Sequence, residues 1–298
     1  MKIGYIGLGK MGLGMVKLLL EKGHEVVATD PNEDAMNEAR AAGAEVVSTL
    51  EDLYQKLPDD KFIWLMVPHN IVDNVLENLS PILKSGDVIM EGGNSNFRET
   101  MRRSAELATK GIDFMDVGTS GGPSGARNGA CMMIGGARDK FEKYEQLFKD
   151  LSIENGYAYM GATGAGHYVK MVHNGIEYGM MQAIAEGMEI LQKSDFDLDL
   201  KEVARIYNTG SVIESRLVGW LGKAYAEEGV NLDAISGEVS HSGEGLWTVE
   251  EARKAGIPVP VIEGSLKFRE DSQGNPSYTG QVVSALRNQF GGHSVKKD

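Results

Sequence analysis

Two hydrophobic patterns divide this chain. Through the first half, short continuous apolar runs alternate with stretches in which apolar residues recur every three or four positions. The runs are Ile3-Gly4-Tyr5-Ile6, Glu25-Val26-Val27-Ala28-Thr29, Phe62-Ile63-Trp64-Leu65-Met66-Val67, Asp87-Val88-Ile89-Met90-Glu91 and Phe114-Met115-Asp116-Val117. Runs with little polar alternation suit strands buried on both faces of a parallel sheet. Cys131-Met132-Met133-Ile134 and Gly156-Tyr157-Ala158-Tyr159 read as the last strands, giving an α/β doubly wound sheet to about residue 160. From Gly164 the alternation stops. Helical periodicity covers 168–193, 199–208, 210–228 and 246–255, breaks at Asn275-Pro276, and ends in a helix through Leu286-Arg287. The small residues Gly161-Ala162-Thr163-Gly164 mark the boundary, so two domains are expected, 1–163 and 164–298, the second all-helical.

Composition narrows the class without choosing a function. The 298 residues are 42% hydrophobic and 24% charged, ordinary for a globular protein. A net charge of −13, with no basic tract, argues against a nucleic-acid partner. No apolar run approaches the ~20 residues needed to span a bilayer, and the strand-like start at Lys2 leaves no signal peptide to expect. One cysteine, Cys131, excludes an internal disulfide, and the scattered histidines lack ligand spacing, so no metal is expected. The expected location is the cytoplasm.

The first strand runs into Gly7-Leu8-Gly9-Lys10-Met11-Gly12 and then a periodic helix over 13–22. Strand, glycines and helix in that order make a Rossmann-type dinucleotide site. Gly7 permits the turn, Gly9 lets a pyrophosphate approach the backbone, and Gly12 lets helix and strand pack closely. The pyrophosphate would sit on the helix N-terminus. Asp30, ending the second strand, suits a ribose diol and repels a 2′-phosphate, which favours NAD over NADP; a helix cap at Asp30-Pro31-Asn32 is the plainer alternative. Val67 and Pro68 close the strand over 62–67 and join the expected cofactor contacts. Two further strands deliver Gly92-Gly93-Asn94-Ser95 and Gly118-Thr119-Ser120-Gly121-Gly122-Pro123 at their C-terminal ends, where open α/β sheets bind ligands.

The stretch 164–178 carries the most unusual pattern. Read as a helix, it places Lys170, His173, Asn174, Glu177 and Tyr178 at i, i+3, i+4, i+7 and i+8, on one face. Val169, Met171, Val172 and Ile176 flank that stripe. A solvated face with a Lys–Glu pair is the common explanation of such spacing, but it seldom combines His, Asn and Tyr with flanks this apolar. The stripe reads as a catalytic face at the junction of the two domains, where pockets tend to lie.

Together these residues resemble the decarboxylating 6-phosphogluconate dehydrogenases of the β-hydroxyacid dehydrogenase superfamily. The likeness covers nearly the whole chain and is carried by the motifs at 7–12, 92–95, 120–122 and 170–178, and by Phe290-Gly291-Gly292-His293. It implies the short, unduplicated, NAD-preferring form. It also implies NAD-dependent oxidative decarboxylation of 6-phosphogluconate to ribulose 5-phosphate, in the pentose phosphate pathway and gluconate utilisation. On this resemblance Lys170 takes the C3 hydroxyl proton and later holds the enolate oxygen, and Glu177 protonates C1. A lysine can act as base only where burial or neighbouring positive charge lowers its pKa. Asn94 would bridge nicotinamide ribose and substrate. Ser120, Gly121 and Gly122 would take the carboxylate, while His173 and Asn174 would contact substrate hydroxyls and carboxylate.

The resemblance further implies a phosphate site of Tyr178 and Arg287 with a Lys and a Thr in a glycine-rich turn and a second arginine. Here Ser242 and Glu244 stand at the turn positions and Glu214 at an arginine position, leaving Arg216, Lys267 or Arg269 as substitutes. A homodimer or homotetramer is expected, with the tail carrying Arg287 and His293 leaving its own domain for the neighbour's active site. Two other readings remain: a related dehydrogenase acting on an unphosphorylated sugar acid such as gluconate, and a non-catalytic NAD-binding protein. Glu177, an added acid for the enediol step, disfavours simple 3-hydroxyisobutyrate-type enzymes.

Overall fold

The computed structural model describes residues 1–295; the last residues of the expected second domain, 296–298, lie outside them. The chain forms two compact units, Met1–Lys170 and Met171–Asp298. In the first, strands β1 (Lys2–Ile6), β2 (Glu25–Thr29), β3 (Glu45–Val46), β4 (Phe62–Leu65), β5 (Val88–Glu91), β6 (Asp113–Ser120), β7 (Ala130–Gly135) and β8 (Ser152–Gly161) make one sheet in the order β3-β2-β1-β4-β5-β6-β7-β8. All neighbours pair in parallel except β6 and β7, which are antiparallel. The strand order reverses direction at β1, so the switch point lies between β1 and β4, beside the glycine loop.

Helices α1 (Lys10–Glu21), α2 (Glu33–Ala41), α3 (Leu50–Gln55), α4 (Val72–Leu79), α5 (Phe97–Ala108), α6 (Gly122–Asn128), α7 (Arg138–Lys143) and α8 (Glu145–Leu151) connect the strands. The continuous apolar runs are explained by two cores, one on each face. Tyr5, Val26, Phe62, Trp64, Met90 and Met115 enter one, whereas Ile6, Val27, Ile63, Leu65, Ile89 and Phe114 enter the other. Successive strand residues point to opposite faces, so a sheet covered twice favours apolar residues on both. The two-residue β3 is too short for a periodic signal, and the sequence reading missed it.

Helix α9 (Ala165–Gln192) starts in the first unit, where Asp116 of β6 holds its beginning. The fully buried Asp116 carboxylate accepts the backbone N–H of Gly164 at 2.6 Å and of His167 at 2.7 Å. These amides lack helical partners at a helix N-terminus, and the negative charge complements the dipole. The first unit therefore takes in the opening turn of α9, and its boundary falls seven residues later than the 163/164 hinge expected from composition.

The second unit contains the rest of α9 with α10 (Leu200–Tyr207), α11 (Arg216–Glu228), α12 (Glu244–Lys254), α13 (Pro260–Asp271) and α14 (Tyr278–Gly291). Its core joins Tyr178, Met181, Ala185 and Met188 of α9 to Leu221 and Tyr225 of α11 and Val282, Val283 and Leu286 of α14. Residues 210–215 are not helical as expected. Ser215 caps α11 by accepting the Val218 N–H, and Glu214 accepts the Gly210 N–H at 2.7 Å. Helix α13, absent from the sequence reading, begins on Pro260. Among the described residues no helix is long and apolar enough to cross a membrane.

Candidate active site

In the first unit the glycine loop behaves as its spacing requires. Gly7 has φ +100°, and a Cβ there would stand 2.3 Å from the Met66 carbonyl oxygen. A Cβ on Gly12 would stand 2.1 Å from the Gly7 oxygen. At Gly9, the N-cap of α1, a Cβ would meet nothing within 4 Å. No protein neighbour demands a glycine there, so the open space beside the N-terminus of α1 is room for an anion to approach the backbone. Leu8 is buried, Lys10 is exposed and Met11 is half-buried against the core. Val67 and Pro68 follow β4 at the same end of the sheet.

Asp30 follows β2 directly. Its Oδ2 accepts the Leu8 N–H at 2.6 Å and its Oδ1 the Asn32 N–H at 2.8 Å. The segment does supply the cap of α2, through Asn32, whose side chain accepts from Asp34 and Ala35, while Asp30 closes the turn before it and also reaches the glycine loop. Asp30 is half-exposed and tied to the glycine loop, and each carboxylate oxygen keeps a lone pair for a further donor.

Asn94 is exposed after β5, and the buried Ser95 beside it donates its hydroxyl to Glu91 Oε1 at 3.0 Å. Ser120 ends β6, and Gly121, φ +124°, turns the chain into α6. Lys170 packs against the same strand: a Cβ on Gly118 would stand 2.4 Å from Lys170 Cβ and 3.1 Å from its Cγ. The bare Cα of Gly118 therefore lets the stem of Lys170 lie on β6, two residues from Ser120. Gly166, whose added Cβ would meet the Met133 oxygen at 2.4 Å, allows the same close approach one turn earlier.

In the second unit the remaining members of the α9 stripe gather around two buried cations. His173 Nδ1 lies 3.0 Å from Asn174 Oδ1 and 3.9 Å from Glu177 Oε2. Asn174, buried, donates its Nδ2–H to Glu244 Oε1 at 3.2 Å. Gly175 leaves room for Thr248, whose hydroxyl donates to the Met171 carbonyl at 2.8 Å and fixes α12 against α9. The Arg269 guanidinium stacks 3.3 Å from the centroid of the Tyr178 ring. Arg269 is only 2% exposed, and its Nη2 has no hydrogen-bond partner. Burial brings its pKa down to about 10, lowers that of the neighbouring Arg287 and raises that of the Tyr178 phenol. Arg287 donates to Ser240 at 3.1 Å. Two desolvated guanidinia beside a phenol are costly in isolation and well suited to a multivalent anion.

This geometry also sorts the other phosphate-site candidates. Glu214 is exposed and turned onto its own loop, while Lys267 pairs with Asp271 and Arg216 stacks on Trp220. Arg269 is the cation that joins Tyr178 and Arg287. Glu244 does enter the cluster, but it is held by Asn174. Within the single chain, the tail packs on its own unit. Val282, Val283, Leu286 and Val295 are in that unit's core, and the Ser236 N–H binds the Val295 carbonyl at 2.7 Å. Its start is locked where Gly280 meets Gly237, leaving no room for even one methyl group. Arg287 thus lies beside Tyr178 of the same chain, and exposed His293 follows the Gly292 turn. In this chain the segment after the Asn275-Pro276 break is an anchored corner, held where Gly280 packs on Gly237.

Comparison with known proteins agrees with this architecture. Residues 2–173 match the family model for the NAD binding domain of 6-phosphogluconate dehydrogenase, and 166–195 and 191–298 match that for the 6-phosphogluconate dehydrogenase C-terminal domain. A Bacillus subtilis protein, YqeC, provisionally named a 6-phosphogluconate dehydrogenase, is 49% identical over 297 residues, covering all of both chains. The Haloferax volcanii NAD(+)-dependent, decarboxylating 6-phosphogluconate dehydrogenase is 42% identical over 299 residues, 100% of this chain and 99% of that one. Among solved structures, Plasmodium falciparum 6-phosphogluconate dehydrogenase superposes with a TM-score of 0.82 at 30% identity, over 91% of this chain and 62% of that one.

Proposed function

The chain belongs to the 6-phosphogluconate dehydrogenase family, in its short form, and on that premise we propose that it catalyses NAD-dependent oxidative decarboxylation of 6-phosphogluconate to ribulose 5-phosphate and CO2. The observation that carries the phosphorylated substrate is the Arg269–Tyr178–Arg287 cluster, with its unsatisfied Arg269 Nη2. Such a group gains most from a dianion and little from the hydroxyl end of gluconate.

NAD supplies the hydride acceptor when bound. The N-terminus of α1 and open Gly9 would hold its pyrophosphate, with Leu8, Lys10, Met11, Val67 and Pro68 around it, and Asp30 would accept from the ribose diol. Lys170 takes the C3 hydroxyl proton as hydride leaves C3. The 3-keto acid then loses CO2, because the ketone accepts the electron pair of the breaking bond. Lys170, now protonated, holds the enolate oxygen, and Glu177 delivers a proton to C1. Both stand on one face of α9, two turns apart. Ser120, Gly121, Gly122 and Asn174 take the carboxylate, and Asn94, His173 and His293 the hydroxyls.

We place the enzyme in the cytoplasm, where exposed Cys131 stays reduced. A homo-oligomer is supported by large apolar residues left exposed along α9, including Ile176 at 53% and Ile190 at 72%. The deciding assay compares 6-phosphogluconate and gluconate with NAD and NADP, following CO2 and reduced nucleotide together. Equal amounts of both from 6-phosphogluconate with NAD are expected. Turnover of gluconate alone, or reduced nucleotide without CO2, would overturn the assignment.

A further inference from the structure

The first unit buries a polar network that the chemistry above leaves unused. His167, one turn before Lys170 on α9, is 2% exposed. Its Nδ1 lies 2.8 Å from Thr100 Oγ1 and 3.6 Å from Glu91 Oε2. Glu91, the last residue of β5, is fully buried and binds the Ser95 hydroxyl through Oε1. Arg103, 3% exposed, donates to Ser95 Oγ at 3.3 Å, lies 3.8 Å from Glu91 Oε2, and is held from behind by Asp73 through Nε and Nη2. Thr100, also fully buried, belongs to α5. The network thus touches four elements: α9 just before Lys170, the end of β5 just before Asn94, α5, and α4 through Asp73.

Burying an acid, an imidazole and a guanidinium together is weak as a source of stability, since desolvation offsets most of the attraction. Its physical virtue is directional. Hydrogen bonds with fixed donors and acceptors define distance and angle where apolar packing would tolerate sliding. Helix α9 gains from such a device, because the glycines at 118 and 166 let it approach β6 and β7 on bare backbone, and it adds to the hold of Asp116 on the first turn.

We propose that His167, through Thr100 and Glu91, is a positioning residue for the reaction. It fixes the turn of α9 that carries Lys170 relative to the Asn94–Ser95 loop, so that base and loop meet the reacting C3 carbon in one geometry. The inference rests on the roles given above to Lys170 and Asn94. The link runs Lys170, His167, Glu91, Ser95, Asn94, and the three members between the ends have no part in the chemistry proposed above.

The test uses the full-length enzyme with His167→Phe, which keeps a ring but no polar atom, and Thr100→Val, which is isosteric and removes only the partner. His167→Asn returns an amide nitrogen near the position of Nδ1. Misplacement of a catalytic group by about 1 Å costs roughly 10²-fold, so a fall in kcat of about 10-fold or more is expected in both disrupting variants. KM for NAD should stay within about twofold, and His167→Asn should recover much of the rate. The kinetic deuterium effect with 6-phosphogluconate deuterated at C3 should rise, because hydride transfer becomes the slow step. A network that merely stabilises would lower Tm and the folded fraction, with kcat per NAD-binding site and the isotope effect unchanged, and that result overturns the proposal. Lys170→Met run alongside keeps the two ideas apart. If it retains turnover the base assignment fails, whereas a dead Lys170→Met beside a fully active His167→Phe removes the positioning role alone.

Discussion

Arg269 lies over the ring of Tyr178, its guanidinium carbon 3.3 Å from the ring centroid, with one guanidinium nitrogen unsatisfied inside the second unit. The stack is a cation–π contact in a desolvated place, and it orients the free N–H groups without neutralising the charge.

Arg269→Met should therefore separate function from stability. KM for 6-phosphogluconate should rise by about 10²-fold, since charge-assisted contacts to phosphate are lost, while kcat falls less. Thermal stability of the ligand-free protein should hold or increase. Burial lowers the pKa of Arg269 to about 10, so the folded state disfavours its charge at every pH below that value. The penalty is fully present at neutral pH and fades only as pH rises past about 10. A variant with lower Tm and unchanged KM would contradict both halves.

Lys170→Met should abolish oxidation of 6-phosphogluconate and leave NAD affinity intact, because the glycine loop belongs to β1 and α1. Glu177→Ala should slow the steps after decarboxylation, by about 10²–10⁴-fold for loss of a general acid. Rapid-mixing measurements, with reduced nucleotide appearing before product, distinguish the two lesions.

Asp30→Asn keeps the shape of the residue and one of its two backbone acceptors, that for the Leu8 N–H, while giving up the one for Asn32 and removing the charge. The ratio of kcat/KM for NAD over NADP should fall, by about 10-fold or more, since repulsion of a 2′-phosphate goes with the charge. Wild-type enzyme preferring NADP would refute this use of Asp30.

Acid should loosen the first unit through Asp73. Its hydrogen bonds to Arg103, then Arg102, hold its carboxyl at about 2. The sign follows: stability from this pair is complete above about 4 and is lost as pH falls through about 2. Because the Asp73 side chain is 45% exposed, the contribution is screened to about 1 kcal/mol or less. Asp73→Asn should lower urea midpoints at pH 5 and flatten their decline between pH 4 and pH 2.

Mixing inactive Lys170→Met with inactive Arg287→Ala/His293→Ala under subunit exchange tests where the tail acts. With the tail docked in its own unit, every pocket keeps a lesion and the mixture should stay inactive. Recovered activity would show that the tail crosses to a neighbour in the assembled enzyme.

The sequence by itself determined the sheet, the glycine loop and the polar stripe from Lys170 to Tyr178, because each is written in local periodicity or spacing. Buried strands need apolar residues on both faces, and a loop with φ +100° needs glycine at that one position. Even the short C-terminal motif was legible as residue types. What tertiary structure decided was which distant residues share a place. Arg269 sits on a helix that gave no clear pattern, and nothing near it in sequence marks it out from Lys267 or Arg216. Only packing of α13 against α9 selects it. Asp116 reads as one residue in an apolar strand run, yet it caps a helix beginning 49 residues later. The place of Arg287 likewise depended on packing no local pattern contains: the apolar face of α14 fills the core of its unit, and filling it sets Arg287 beside Tyr178 of the same chain.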